Sequence, residues 1–480
     1  MSAATEHLYQ QRLRRYVTAM RFVEKGKPDR VPIRPFVAEF TAKYAGYDCQ
    51  QVTHDYTKAF DAALRCAADF DWDAIVPNMV YVWTGLTQAI GLKYYGIPGI
   101  DIPPDTGFQY REPPEEQSFM RADEYDQLIA NPVKFLYNVW LPRASSDVAA
   151  VGSPSTYRNN LSFVKGGMAM MQYFTAFGPQ VAAMRERSGT VSAIAGMLKA
   201  PLDILADKLR GYIGLCSDLL EQPDKVKAAC EALAPHLLHV ALSGADPAKQ
   251  APVTMWMHRS CVPFISREHF NEIHWPTLKP IIEALWSAGH QTLFYAEGKW
   301  GMHLESFAEL PAGSIVYHCD QDDIFEVHRK VGHKFAISGG VPNFLLGYGS
   351  RQEVKDCCKR IIDTVAADGG YILDASAIVQ NDAKVENIRA MTDFVREYGV
   401  YGNGHLPATP PPAPARTETV CQGPHYGLAE PAMAPGVCIP WTEKLAELPP
   451  ITGDADLCRQ VWENVDALGY LYIWHCLLSF

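Results

Sequence analysis

The hydrophobic pattern is broken up to about residue 150 and regular after about residue 200. In the regular part, short apolar runs alternate with longer stretches whose apolar residues recur three and four apart. VTMWM at 253–257, residues 291–296, SIVYH at 314–318, KFAIS at 334–338 and YILDA at 371–375 predict strands. PLDILADKLRGYIGLCSDLL, PDKVKAACEALAPHLLHVAL and residues 267–288, 351–367 and 384–398 predict helices, with a shorter one at DIFEVHRKV. The earlier part predicts a helix over 1–27, a strand at Arg30–Arg34, a helix over 55–70 and a short strand at 74–79. Strands separated by helices imply a parallel sheet. This many units fits a closed (β/α)8 TIM barrel, an α/β fold, with an N-terminal helix.

Two regions leave the rhythm. Residues 93–145 are rich in Pro, Gly and acidic residues and predict an inserted irregular segment. The barrel pattern ends at Tyr401, and GHLPATPPPAPAR at 404–416 cannot be helix or central strand. The chain therefore divides into a barrel over 1–402 and, over 403–480, a Pro-rich linker with a docking C-terminal extension. Two helices are expected in the extension, near 441–447 and 454–478. Its last stretch, VWENVDALGYLYIWHCLLSF, is too apolar to be left in water. It is expected to dock on the barrel or on a second copy in a homodimer. If the extension covers the barrel mouth, His405, His425, Tyr426 and Trp441 are its expected contacts; plain surface packing is the alternative.

Composition narrows the classes. A net charge of −11 argues against nucleic-acid and anionic-membrane partners. The mixed-charge N-terminus is not a secretory signal, and no apolar run approaches the roughly 18–20 residues that span a bilayer. A soluble, cytoplasmic protein is expected. Twelve cysteines without a CxxC pair read as small buried apolar residues, not as a disulfide framework.

Candidate chemistry lies where the strands end. In a barrel these ends open on one face. The ends release His258 and Arg259, then Glu297 with Tyr295 two residues earlier on the same side, then His318-Cys319-Asp320. Gly339-Gly340 leading to Asn343, and Asp374 with Ser376, complete the set. A lone histidine there is more often a hydrogen-bonded structural residue than a catalyst. A carboxylate directly after an apolar strand needs a partner or a function, and Lys299 is the available partner for Glu297. Asp323 reads as a helix N-cap, Asp374 as a ligand contact or turn cap, and the glycine pair as a tight turn or an anion contact. His258, Glu297 and His318 are the residue types of a two-His, one-carboxylate metal site.

Several segments carry a family resemblance. PTLKPIIEALWSAGHQTLFYAEG at 276–298, VGHKFAISGGVPNFLLGYGSRQEV at 331–354 and GGYILDASAIVQNDAKVENIRAM at 369–391 resemble the uroporphyrinogen decarboxylase superfamily. PDRVPIRPFVAEFTAKYAG at 28–46 and LRGYIGLCSDLLEQPDKV at 209–226 fit as well. The resemblance implies a (β/α)8 barrel with its site at the C-terminal face. It also implies one of two activities: removal of carboxylates from a tetrapyrrole, or methyl transfer between a corrinoid protein and a zinc-held thiol. The opening lacks the Arg-rich FMRQAGR-type segment of the true decarboxylases, whose arginines would pair with porphyrinogen carboxylates. It is closer to the methyltransferase branch. That branch carries a His-x-Cys-Gly zinc motif where this chain has Tyr295-Ala296-Glu297-Gly298, and a further Cys in the loop where it has Asp374-Ala375-Ser376. Neither thiolate is present, so the zinc–thiol mechanism is not carried over.

Three functions follow as expectations. The first is methyl transfer between a corrinoid partner protein and a non-thiol small molecule. Glu297, Tyr295 and His318 would handle the proton, and His258, Arg259, Asp320, Asn343, Asp374 and Ser376 would bind substrate. The second is a decarboxylase or other lyase for a small carboxylated substrate. The third is a non-catalytic family member. The cofactor is left open between a divalent metal, with His258, Glu297 and His318 as ligands, and a corrinoid on a partner.

Overall fold

Six parallel strands lie side by side in the computed structural model, which describes residues 2–21, 27–76, 83–402, 404–413 and 428–478. They are β5 (Met197–Lys199), β6 (Val253–Met257), β7 (Thr292–Ala296), β8 (Ile315–Cys319), β9 (Ala336–Gly339) and β10 (Tyr371–Ile372). The strands preceding them, in chain order, are β1 (Ala74–Ile75), the antiparallel pair β2 (Tyr95–Gly96) and β3 (Gln109–Tyr110), and β4 (Val191–Ser192). The chain runs from β4 straight into β5, and β4 pairs in parallel with β1.

Single hydrogen bonds close the ring. Asp73 and Ala74 N–H donate to the Ile33 carbonyl at 3.0 and 3.2 Å. Leu373 N–H donates to Pro32 at 2.9 Å, and Arg34 N–H donates back to Leu373 at 3.0 Å. Pairing is thin at this seam because Pro32 and Pro35 have no N–H to give. Counting 31–37 as the first strand and β4–β5 as the third, eight strand positions form a TIM barrel. Helices follow the strands on the outside, and among the described residues none is long and apolar enough to cross a membrane.

Strand alternation decides what the barrel interior holds. In register, Trp256, Tyr295, His318, Ser338 and Ile372 lie side by side. Trp256, Leu293, Tyr295, Val316, Ala336 and Ile372 belong to one buried cluster inside the ring. Their neighbours Phe294, Tyr317, Ile337 and Tyr371 face the outer helices in a second, larger cluster. By the same alternation His258, Glu297, Asp320 and Asp374 share the inward side, at the C-terminal rim.

Several expectations need adjustment. The first helix is Ala3–Arg21, and residues 22–26 lie outside the described residues. The strand read at 74–79 is confined to β1, with 77–79 again outside them. The helices Tyr157–Thr175 and Phe177–Ser188 occupy a stretch whose pattern predicted nothing. The irregular segment 93–145 holds β2, β3 and the short helices Tyr125–Ala130, Pro132–Phe135 and Leu141–Ala144.

The extension forms the helices Trp441–Glu447 and Ala455–Leu478. The second half of the last helix is buried at Tyr470, Ile473, Trp474, Cys476 and Leu477. Trp474 stacks on His236, Tyr470 shares a 2.8 Å hydrogen bond with the same ring, and Tyr94 hydroxyl donates to the Cys476 carbonyl at 2.8 Å. These contacts are on outer helices and the inserted segment. Of the proposed mouth contacts, His405 is exposed, Trp441 is half-buried, and His425 and Tyr426 lie outside the described residues.

Candidate active site

A cavity of about 190 Å³ opens at the C-terminal mouth of the barrel. Its polar lining is Lys199, Asp207, Lys208, His258, Arg259 and Glu297, and its apolar wall is mainly Tyr95, Phe108, Tyr110 and Trp256. Lys199 is the last residue of β5. The helix that follows winds more widely over Leu205–Leu209, where Arg210 N–H reaches back five residues to Leu205 at 2.8 Å. That turn carries Asp207 and Lys208, both buried.

Asp207 organises the cavity. Lys199 Nζ lies 2.6 Å from Oδ2, His258 Nε2 lies 2.9 Å from the same oxygen, and Arg259 Nε donates to Oδ1 at 2.9 Å. Burial alone would raise this carboxyl. The surrounding His258, Lys199 and Arg259 overcome that and hold it well below the usual aspartate range. Arg259 shows the converse: burial opposes its charge, but Asp207 more than restores it. The Arg259 guanidinium also lies 5.5–5.6 Å from the ring centroids of Tyr110, Tyr212 and Phe264.

A second carboxylate fixes the end of β6. Asp203 accepts the N–H groups of His258 and Arg259 at 2.9 and 2.8 Å, together with the Ser260 hydroxyl. Tyr110 hydroxyl donates to the Asp207 carbonyl at 2.8 Å, which ties the inserted segment to the cavity. Glu297 lines the cavity half-buried, while Lys299 is exposed and forms no ion pair with it among the described residues. Asp320 accepts the Gly298 N–H at 2.8 Å, and burial, with Glu297 nearby, raises it to about 6.

Directly below lies a buried polar layer that does not line the cavity. The Arg34 guanidinium pairs with Asp374 at 3.2 Å and donates to the Ser338 hydroxyl at 2.9 Å. Asp374 accepts the N–H groups of Phe36 and Ala375 at 3.0 and 2.7 Å. Burial pushes Asp374 up to about 7 against the pull of Arg34 and those N–H groups. His318 Nε2 lies 2.9 Å from the Ser376 carbonyl, so Nε2 carries the proton and Nδ1, 3.0 Å from Ser338, accepts. Burial, then the Arg34 charge, keeps this imidazole neutral far below its usual range. Tyr295 stacks on His318 with centroids 4.3 Å apart and is fully buried.

The sequence-derived residues therefore separate into groups. His258, Arg259 and Glu297 share the cavity, with Asp320 behind its rim. Tyr295, His318 and Asp374 form the layer beneath. Ser376 joins that layer through its backbone carbonyl. Asn343 holds the loop above, accepting from Ala377 N–H at 3.0 Å and donating to the Ile378 carbonyl at 2.9 Å. Asp323 caps its helix through Phe325 N–H. Gly339 and Gly340 have φ of +89° and +85°, and a Cβ on either would meet Cys319 or Ile324. The pair makes a tight turn.

The donor set does not suit a thiolate-bound zinc. Cys261 and Cys319 lie near the mouth, but burial raises both thiols, that of Cys261 to about 12. The proposed His258, Glu297 and His318 ligand set is not brought together, since both His318 nitrogens are already bonded. Among the described residues no three His, Cys, Asp or Glu side chains gather so as to hold a metal ion.

Sequence reasoning passed over Lys199, Asp207, Lys208, Tyr95 and Tyr110. The available signal was two consecutive charged residues, Asp207-Lys208, inside the apolar run PLDILADKL.

Comparison with known proteins agrees with this architecture. The family described as uroporphyrinogen decarboxylase (URO-D) matches residues 172–398. A solved methyltransferase from Methanosarcina mazei is similar with a TM-score of 0.51 and 14% identity, covering 81% of this chain and 98% of that one. At that identity the likeness bears on the fold. No curated protein matches the chain. The family match runs from the end of the helix Tyr157–Thr175 to the helix Val385–Tyr398 and takes in β4 to β10. On this match and the barrel, residues 172–398 resemble the uroporphyrinogen decarboxylase family.

Proposed function

We propose that the chain is a methyltransferase-like enzyme whose reaction takes place in the mouth cavity. It moves a methyl group between a small anionic, non-thiol molecule and a corrinoid carried on a partner protein. The observation that most supports this reading is the cavity lining. Arg259 and Lys199 line the cavity as basic side chains, aromatic rings form its wall, and burial raises the neighbouring Cys261 thiol to about 12. The name of the M. mazei structure, a methyltransferase, points the same way.

In this reading Arg259, held in place by Asp207, grips the anionic end of the small molecule. Glu297 takes the proton from an accepting oxygen or nitrogen, or returns it to a departing one. Tyr295 and His318 position the rim from below. Methylcobalamin absorbance should change when the protein, a corrinoid carrier and a suitable small acceptor are combined. Glu297→Gln should slow that change by roughly 10²–10⁴-fold. No corrinoid-carrier binding and no absorbance change across candidate acceptors would remove the proposal.

A second reading, a decarboxylase or other lyase for a small carboxylated substrate, draws on the same cationic lining. Carbon dioxide or dehydration products from a carboxylate library, formed without any corrinoid, would favour it. Full lyase activity in Glu297→Gln would then remove Glu297 as its acid.

A further inference from the structure

Lys208 differs from the other basic residues of the cavity. Lys199, His258 and Arg259 together take both oxygens of Asp207. Among its contacts, Lys208 Nζ lies 3.0 Å from the Tyr95 hydroxyl, and 4.0 and 4.6 Å from the ring centroids of Tyr94 and Tyr95. The residue is 1% exposed yet lines the cavity. An ammonium in that place is poorly solvated and shares its surroundings with the Lys199 charge. Burial first, and Lys199 second, moves the Lys208 amine well below the usual lysine range. Structural lysines of this size usually lie along the surface with the amine in water. A buried amine facing a cavity is a costly arrangement that suits a nucleophile.

We propose that Lys208 is an amine nucleophile that forms an imine with a small aldehyde or keto compound bound in the mouth cavity. A compound that also bears a carboxylate suits the site best, because Arg259 is there to hold it. This goes beyond the methyl-transfer reading and does not depend on it. The Nζ lone pair forms the N–C bond while the carbonyl π pair becomes O–H, taking its proton from Tyr95. Burial keeps that hydroxyl protonated, well above its usual range. The cationic adduct nitrogen returns one proton to the Tyr95 oxygen. The hydroxyl then leaves as water with the second nitrogen proton, and C=N forms. No oxidant or reductant is consumed.

The test uses the full chain with glyoxylate as the probe and cyanoborohydride to reduce the imine, followed by intact mass and peptide mapping. No corrinoid is present, so failure of the methyl-transfer reading leaves this outcome untouched. Near pH 7 an ordinary lysine in water is almost wholly protonated, so Lys208 should be labelled faster than the exposed lysines by roughly tenfold or more. Lys208→Met should lose that adduct. If Lys208→Met does not fold, the wild-type pH profile decides: Lys208 labelling should reach its plateau well below the ordinary lysine pKa. Label on exposed lysines with none on Lys208, or Lys208 labelling that rises only near the ordinary lysine pKa, overturns the proposal. Either result would make Lys208 an anion-holding ammonium.

Discussion

Replacing Asp207 by Asn should be the most damaging single change near the cavity. The carboxylate is 3% exposed and faces three basic groups at 2.6–2.9 Å. An amide is nearly isosteric, so packing is kept and only the charge is lost. Lys199, 5% exposed, would then be a buried ammonium without its anion, with His258 and Arg259 beside it. Removing one partner of a buried ion pair costs about 3–5 kcal/mol, chiefly because the other charge is stranded. Urea unfolding followed by tryptophan fluorescence measures the loss. The pH dependence has a definite sign. The folded-state pKa of Asp207 is depressed. Its contribution is therefore complete above the unfolded value of about 3.9 and is lost as pH falls through the lower folded value. The gap between parent and variant should be at full size near neutral pH and shrink below about pH 4. A variant as stable as the parent at neutral pH would show that Asp207 does not hold these buried charges in place.

Four further outcomes follow from the layers beneath and around the cavity. Arg34→Met should cost about 1–3 kcal/mol in the same assay, because it leaves the buried Ser338 hydroxyl and Asp374 without their donor. With Asp374 raised to about 7, parent stability should decline as pH rises from about 4 to about 7, and Asp374→Asn should flatten that slope in a pH series of urea midpoints. Gly339→Ala should lower the midpoint by more than about 1 kcal/mol equivalent, since its φ is +89° and the new Cβ meets the Cys319 carbonyl. Trp474→Ala should cost about 3–5 kcal/mol and loosen the last helix in hydrogen exchange.

What the sequence disclosed was set by periodicity. Tyr295 and His318 lie on strands and Glu297 and Asp320 directly follow them, so a period of two fixes their side and an apolar run fixes their end. The inward parity of these residues was readable for that reason. How deep each one sits was not readable, because it depends on strand stagger. His318 and Tyr295 fall one layer below the cavity, and Arg34 and Ser338 take up their polar atoms. Asp207 and Lys208 were hidden for a different reason. They lie on a helix, where charged residues ordinarily mark the solvated face, and the wider turn over Leu205–Leu209 turns both inward. Tyr95 and Tyr110 come from a segment whose Pro, Gly and acidic content masked its role as a wall. The last helix announced itself by composition, since an apolar stretch of that length has to be covered. Which surface would cover it depended on helices at 157–188 that showed no clear pattern.

The mouth cavity is where we propose that a small anion binds. Calorimetric titration of a panel of small carboxylates against the parent and Arg259→Gln tests this most directly. A hydrogen bond to a charged group contributes about 1.5–3 kcal/mol, so the variant should bind roughly tenfold to a hundredfold more weakly. Equal affinity of parent and variant for every carboxylate that binds would contradict it.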